Sequence, residues 1–142
     1  MASKVEASEL RELIDHALAE LDRDERRGSA LRATGLRVRL EVTDLELVLR
    51  VRASEEDRHH LWWAFASDAD ESAGAELRLA MDSTTANAYL QGRASLPVAI
   101  ARGQVRCSGD LKTALIYLPA LRLLVDPYRS WVTRLHPHLA VA

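Results

Sequence analysis

Apolar residues recur every three or four positions near the start of the chain and every second position further on. The first set comprises Leu10, Leu13, Ile14, Ala17, Leu18 and Leu21. This spacing places the apolar side chains on one face of an amphipathic helix. Ser3 and Glu6 have the spacing of a capping box, Ser8 is a competing start, and Gly28 closes the charged run that follows. The pattern predicts an N-terminal helical region over residues 1–28.

The period then changes to two, which predicts β-strands with one buried face. The alternating stretches are residues 36–42, 45–53, 59–67 and 75–82. Short polar loops join them, so we expect an antiparallel meander, because parallel neighbours need crossovers of a dozen or more residues. A two-residue turn at 43–44 would pair Leu40 with Leu47. That register also opposes Glu41 to Glu46, so a longer loop with a shifted register is the alternative.

Helical stretches and one further strand follow the meander. Residues 83–91 predict a short helix capped by Asp82 or Ser83, and a second short helix ends before Gly103. Residues 104–108 alternate again and predict a fifth strand. A Gly-Asp pair then opens an apolar helix, since such a pair combines a turn with a helix cap.

The last part of the chain contains two prolines in helical surroundings. We expect a kink or a new helix start at Pro119, a break at residues 126–127, and a loose tail from residue 136. Residues 119–142 therefore form C-terminal helices and a tail. Strands in the first half and helices in the second indicate one α+β domain over residues 1–142. The predicted fold is a single five-stranded, mainly antiparallel sheet with helices covering one face.

Composition narrows the classes of function. The chain has 142 residues, of which 48% are hydrophobic, so it is long enough for one domain with a substantial core. Its 19 basic and 21 acidic residues give a net charge of -2, and we therefore expect no nucleic-acid partner. We find neither the pattern of a leader peptide nor the roughly 18 consecutive apolar residues of a transmembrane span. A cytoplasmic, soluble protein is expected.

Few side chains offer chemistry, and each has a structural explanation. His59 and His60 are adjacent and would point to opposite faces of a strand. His136 and His138 lie in the predicted tail, with no Cys or acidic residue close to them in sequence. Cys107 is the single cysteine, which excludes an internal disulfide and a multi-thiolate metal site. We therefore predict that the protein is not an enzyme, with no catalytic residue, metal or cofactor.

The stretches "AYLQGR" and "LPVAIARGQVRCSGD", followed by an apolar helix, resemble the sterol carrier protein 2 (SCP2)-like lipid-transfer family. In that family a helix ending in Gly precedes a second short helix, a glycine-led strand and a Gly-Asp pair that opens the next helix. The matching positions are Tyr89, Leu90, Gly92, Leu96, Ala99, Ile100, Gly103, Val105, Gly109, Asp110, Ala114 and Leu115. With the preceding strands, the likeness extends over residues 36–118.

The resemblance implies helices and a sheet that enclose an apolar tunnel for a sterol, a fatty acid or an acyl chain, bound without chemical change. The ligand-binding residues that it implies are Trp63, Phe65, Leu79, Met81, Tyr89, Leu90, Leu96, Ile100, Val105, Leu115 and Leu118. Of these, the expected cavity-facing set in the motif region is Leu96, Ile100, Val105 and Leu115.

The resemblance also leaves an alternative open, because the same fold serves as an accessory or dimerisation module in larger enzymes such as alkyl sulfatases. In that case the core is filled, no lipid is bound, and the apolar segment 115–125 pairs with a second copy or a partner.

Overall fold

The computed structural model describes residues 4–66 and 74–141. Helices α1 (Ala7–Arg23) and α2 (Glu25–Ala33) come first. Four strands follow: β1 (Arg37–Val42), β2 (Leu47–Ala53), β3 (Leu61–Ala66) and β4 (Leu77–Met81). The second half contains α3 (Ser83–Leu90), α4 (Leu96–Ala101), β5 (Val105–Gly109), α5 (Leu111–Leu121) and α6 (Val125–Leu135). Short 3₁₀ turns occupy Thr43–Leu45, Arg122–Leu124 and Pro137–Leu139.

Helix α1 begins at an acidic cap. Glu6 precedes the helix, and the carboxylate of Glu9 accepts a hydrogen bond of 3.1 Å from the Glu6 N–H. This capping box lies three residues later than the predicted pair of Ser3 and Glu6, and Ser8 lies within the helix. The predicted buried face is confirmed, since all six of its apolar residues are buried.

Two helices, rather than one ending at Gly28, occupy the N-terminal region. Asp24 ends α1, and its carboxylate accepts a hydrogen bond of 2.8 Å from the Arg27 N–H at the start of α2. Gly28 lies inside α2, where a Cβ atom would come within 2.4 Å of the Leu21 carbonyl oxygen. The glycine therefore allows close packing of the two helices instead of marking a helix end.

The five strands form one mixed sheet in the order β3-β2-β1-β4-β5. Three neighbouring pairs are antiparallel and the pair β1–β4 is parallel, so the predicted five-stranded, mainly antiparallel sheet is confirmed. The meander is wrong for β4, which pairs with β1 and not with β3. Alternation along a strand determines which face is buried but does not identify the neighbouring strand, because the same buried face is compatible with several pairing partners.

The hairpin between β1 and β2 uses the longer of the two loops considered. A 3₁₀ turn is followed by Glu46 in the left-handed region at φ +50°. Leu40 therefore pairs with Leu49 and not with Leu47. A shift of two residues leaves every side chain on its predicted face, so the core pattern survives the change of register.

The apolar face of the sheet packs against helices, and the opposite face is basic. Leu40, Leu49 and Leu79 are aligned across the middle of the apolar face, and all three are buried. Helix α1 packs against both α6 and β3. The opposite face carries Arg37, Arg39, Arg50, Arg52, Arg78 and Arg106. Among the residues described, no helix is both long and apolar enough to cross a membrane.

Pro119 and Pro127 both lie inside helices. Helix α5 continues through Pro119 and ends two residues later, after which a 3₁₀ turn leads into α6. The expected new helix start thus lies a few residues beyond this proline. Asp126 and Pro127 fall in the first turn of α6 and do not break it, because a first-turn residue needs no N–H donor.

The C-terminal tail is anchored, contrary to the expectation of a loose end. Leu139 is only 2% exposed, and its carbonyl accepts hydrogen bonds of 2.9 Å from the side-chain amides of Asn87 and Gln91. The Tyr128 hydroxyl donates to Asn87 Oδ1, and the Val141 N–H donates to Gln91 Oε1, both at 2.9 Å. Buried amides must find partners, and here the tail backbone supplies them.

Candidate ligand-binding site

A small apolar cavity lies inside the molecule, between the sheet and helices α1, α3 and α5. It measures about 40 Å³, and its walls include Leu18, Leu40, Leu79, Leu90 and Leu121. Ligand pockets in proteins measure roughly 300–1,000 Å³. The internal cavity is therefore too small for an acyl chain in this conformation of the protein.

A larger open groove lies beside the cavity, between α5 and the connection from α3 to α4. Its volume is about 720 Å³, within the range of ligand pockets. Most of its surface is apolar and comes from Leu96, Pro97, Ala114, Leu115 and Leu118. The segment from Tyr89 to Pro97 lines one side of the groove, and α5 lines the other.

Tyr89, on α3, lines both the internal cavity and the groove. Its hydroxyl oxygen is buried and has no hydrogen-bond partner among the residues that the structure describes. Burial raises the pKa of Tyr89 to about 12, although the charge of Arg122 acts to lower it. The hydroxyl is therefore neutral at physiological pH and has an unused hydrogen-bond donor, although its oxygen is closed to solvent in this structure.

The polar part of the groove carries positive charge. Arg93 and Arg122 belong to its lining, and none of the described residues that line it is acidic. Guanidinium groups bind carboxylates and phosphates through charge-assisted hydrogen bonds. The groove thus combines a long apolar wall with a basic rim, an arrangement that suits an amphiphile with an anionic or hydrogen-bonding head group.

Six of the predicted ligand-binding residues lie at these two spaces. Leu79 and Leu90 line the cavity, Tyr89 lines both spaces, and Leu96, Leu115 and Leu118 line the groove. The structure therefore brings predicted residues of β4 and α3 together at the cavity, and predicted residues of α3, α4 and α5 together at the groove.

The other five predicted residues lie outside both linings. Met81 and Val105 are buried in the core, each 2% exposed, whereas Ile100 is 37% exposed. Trp63 and Phe65 lie on β3 and face α1. The Trp63 indole donates a hydrogen bond of 2.8 Å to Asp15, and the guanidinium of Arg11 lies 5.0 Å from the centre of the Phe65 ring. These aromatic side chains attach the helix to the edge of the sheet.

Arg93 and Arg122 were missed by the reasoning from sequence. Arg122 interrupts the apolar segment 115–125, and an isolated charge in such a segment is a signal that could have identified it. Arg93 follows Gly92 directly after α3, and no pattern in the sequence distinguishes it from other surface arginines.

Possible nucleophiles in the described residues have structural partners or unfavourable surroundings. The Asp82 carboxylate accepts a hydrogen bond of 2.8 Å from the Thr85 N–H and caps α3, as predicted. The Ser83 hydroxyl donates to Asp44 at 2.6 Å. Burial raises the pKa of the Cys107 thiol, which keeps the sulfur protonated and weakly nucleophilic.

No family model and no curated protein sequence matches this chain. Solved structures do match. TT1886 from Thermus thermophilus, a candidate sterol carrier protein, superposes with a TM-score of 0.61 at 16% identity, covering 92% of this chain and 94% of that one. Sterol carrier protein 2 from Yarrowia lipolytica, in its apo form, gives 0.55 at 12% identity, covering 89% of this chain and 99% of that one. The chain has an SCP2-like fold.

The SCP2-like fold also occurs within a larger enzyme. The stereoselective inverting sec-alkylsulfatase Pisa1 from Pseudomonas sp. matches with a TM-score of 0.55 at 18% identity, over 75% of this chain. The present chain spans only 15% of the length of that sulfatase. The resemblance inferred from the motifs is thus confirmed at the level of the fold.

Proposed function

We propose that this protein binds a sterol, a fatty acid or an acyl chain in the groove beside α5, without changing the ligand chemically. The observation that carries the proposal is the apolar groove of about 720 Å³, which meets the internal cavity at Tyr89. The hydrocarbon lies along Leu115 and Leu118, and the polar head of the ligand meets the Tyr89 hydroxyl and the basic rim. Structural neighbours named as sterol carriers support this assignment.

The proposed role is non-catalytic binding or transfer. An apolar wall discriminates weakly between chains that differ by one methylene, so selectivity for chain length is expected to be loose. A ligand that hides roughly 300 Å² of apolar surface gains about 7 kcal/mol, against an association cost of about 4 kcal/mol or more. The apolar contacts alone therefore leave about 3 kcal/mol, which corresponds to millimolar binding. Hydrogen bonds between the charged groups of the groove and the head group, about 1.5–3 kcal/mol each, strengthen binding toward the micromolar range, which suits a carrier that must also release its ligand.

Displacement of a fluorescent fatty acid tests the proposal with two matched variants of α5. Leu115 lines the groove and is 67% exposed, whereas Leu111, one helical turn earlier, is 74% exposed and lies outside the lining. Leu115→Asp places a carboxylate where the hydrocarbon would lie and should weaken binding by about tenfold or more. Leu111→Asp should bind like the wild-type protein. Equal affinity of both folded variants would contradict the assignment of the groove.

A second candidate function, an accessory or dimerisation module without a lipid, is favoured by one observation. Leu111, Leu115 and Ile116 expose 74%, 67% and 49% of their surface on α5. Exposed apolar clusters of this kind mark protein interfaces. This alternative predicts a dimer in sedimentation equilibrium, disruption of that dimer by Leu111→Asp, and no lipid extractable from the purified protein.

A further inference from the structure

A cluster of histidine and glutamate side chains lies outside the groove, where the C-terminal tail passes α1. Glu9 Oε2 is 2.7 Å from His138 Nε2 and 3.5 Å from His136 Nδ1. One ligand atom from each of Glu9, His136 and His138 lies within 4.8 Å of the other two. Ligand atoms about 2.0–2.1 Å from a tetrahedral Zn²⁺ are separated from each other by roughly 3.3 Å. The two distances from Glu9 lie on either side of this value and the third is at most 4.8 Å, so the cluster approaches the dimensions of one face of a zinc coordination shell.

Two of the three ligands in this cluster are held by a second hydrogen bond, and the third follows an anchored stretch of backbone. Glu9 Oε1 accepts the capping hydrogen bond of 3.1 Å from the Glu6 N–H, so its other oxygen is directed at the histidines. His136 Nε2 lies 2.6 Å from Glu12 Oε1, on the side of the ring away from Glu9. A carboxylate on the second nitrogen of a metal-binding histidine fixes the ring and increases its basicity. Anchoring of Leu139 in the core holds the neighbouring His138 in place.

The electrostatic arrangement also favours a cation. Without a metal, both ring nitrogens that face the Glu9 carboxylate must carry protons for their contacts to be attractive. A divalent ion replaces those protons and lies between one anionic oxygen and two neutral nitrogens. Glu9 is 16% exposed and His136 is 21% exposed, whereas His138 is 48% exposed, so water screens one side of the cluster more than the other.

We propose that Glu9, His136 and His138 form a binding site for a divalent metal ion of the Zn²⁺ type. One carboxylate and two imidazoles are a donor set that Zn²⁺ accepts and that Mg²⁺, which prefers oxygen ligands, does not. Because three protein ligands leave a fourth tetrahedral position, water completes the shell. The ion joins α1 to the tail, and this site is independent of the lipid-binding groove.

Isothermal titration of metal-stripped, full-length protein with ZnCl₂ tests the site. We expect one ion per chain and no heat of binding with MgCl₂. His138→Gln should weaken Zn²⁺ binding by more than about 100-fold, and Glu12→Gln, which acts only through His136, by about 10–100-fold. His59→Gln is the matched control, because His59 is 51% exposed and also contacts a carboxylate, whereas His138 is 48% exposed. The control should bind like the wild-type protein.

Absence of saturable 1:1 binding would overturn the proposal, and so would equal affinity for Mg²⁺ or an unaltered affinity in His138→Gln. If a variant does not fold, NMR of the wild-type protein with Zn²⁺ still tests the proposal. NMR shifts of the ring nitrogens must then show Zn²⁺ bonded to Nδ1 of His136 and to Nε2 of His138. Unchanged ring shifts at saturating Zn²⁺ would also overturn the proposal.

Discussion

Replacing Tyr89 by phenylalanine should stabilise the ligand-free protein while weakening its binding of a fatty acid. The hydroxyl that is removed is buried and has no partner among the residues described. An unsatisfied buried polar group costs about 1–3 kcal/mol, and the phenyl ring retains the packing of the tyrosine. Since Tyr89 borders an open groove, we expect the lower end of this range, about 1 kcal/mol, which corresponds to roughly 3 °C in Tm for a chain of this length.

Tyr128→Phe is the control: it makes the same chemical change, but the free energy of unfolding should change in the opposite direction. The Tyr128 side chain is fully buried, but its hydroxyl donates a hydrogen bond of 2.9 Å to Asn87 Oδ1. Its removal loses a satisfied hydrogen bond, so the free energy of unfolding should fall by about 1 kcal/mol. Urea unfolding of the two variants beside the wild-type protein measures both changes.

Displacement of a fluorescent fatty acid measures the predicted loss of affinity in Tyr89→Phe. A hydrogen bond from the Tyr89 hydroxyl to a carboxylate contributes about 1.5 kcal/mol or more, which is a tenfold change in affinity. Tyr89→Phe should therefore be more stable and bind about tenfold more weakly. The reasoning is refuted if Tyr89→Phe is destabilised as much as Tyr128→Phe, since its hydroxyl would then have a partner. Unchanged affinity would remove the tyrosine from the head-group site.

Two further predictions concern the pH dependence of stability and the end of β5. Partial burial acts to raise the pKa of Asp22, but hydrogen bonds from the His59 ring and from two backbone N–H groups outweigh it and lower the pKa; the same ring contact raises the pKa of His59. The pair therefore stabilises the fold most between the ordinary pKa values of 3.8 for Asp and 6.5 for His. The Tm difference between wild type and His59→Gln should shrink as pH rises through the raised pKa of His59, and also as pH falls through the lowered pKa of Asp22. A Tm difference that does not change with pH would contradict this pairing. Gly109 has φ +135°, and a Cβ there would lie 2.5 Å from a backbone carbonyl, so Gly109→Ala should cost about 2–4 kcal/mol in urea unfolding. Gly103→Ala, in open space at φ +75°, should cost only about 1 kcal/mol, and equal costs would contradict the steric argument.

Local patterns predicted the elements of this fold well because each pattern has a local cause. The alternation in β1 and β2 predicted the buried faces correctly even though the register differed by two residues. The neighbours of each strand were harder to predict, since nothing in the sequence of β4 indicates that it pairs with β1. Pairing of that kind depends on the path of the whole chain.

The groove was partly predictable because the motif between α3 and α5 carries most of its apolar residues. Leu96, Leu115 and Leu118 were identified on that ground, and all three line the groove. Ile100 belongs to the same motif, but the rotation of the short helix α4 leaves it exposed. A helix of fewer than two turns shows too few residues to determine its buried face from periodicity.

Interactions between the ends of the chain could not be predicted from local patterns. His138 and Glu9 are separated by nearly the full length of the chain, and the buried amides of Asn87 and Gln91 find their partners in the tail. A sequence pattern reports the surroundings of a residue along the chain, whereas these contacts depend on the tail returning to α1 and α3.

The parallel pairing of β1 with β4 has a consequence for synthesis of the protein. While the chain emerges from the ribosome, β1 can pair with β2 as soon as their hairpin is complete, but its other edge finds its partner only after Leu77–Met81 has been made. Until then the central strand offers free hydrogen-bonding groups to any other extended chain nearby. Nascent protein should therefore be most prone to self-association, and most dependent on chaperones, during the interval between completion of β3 and arrival of β4.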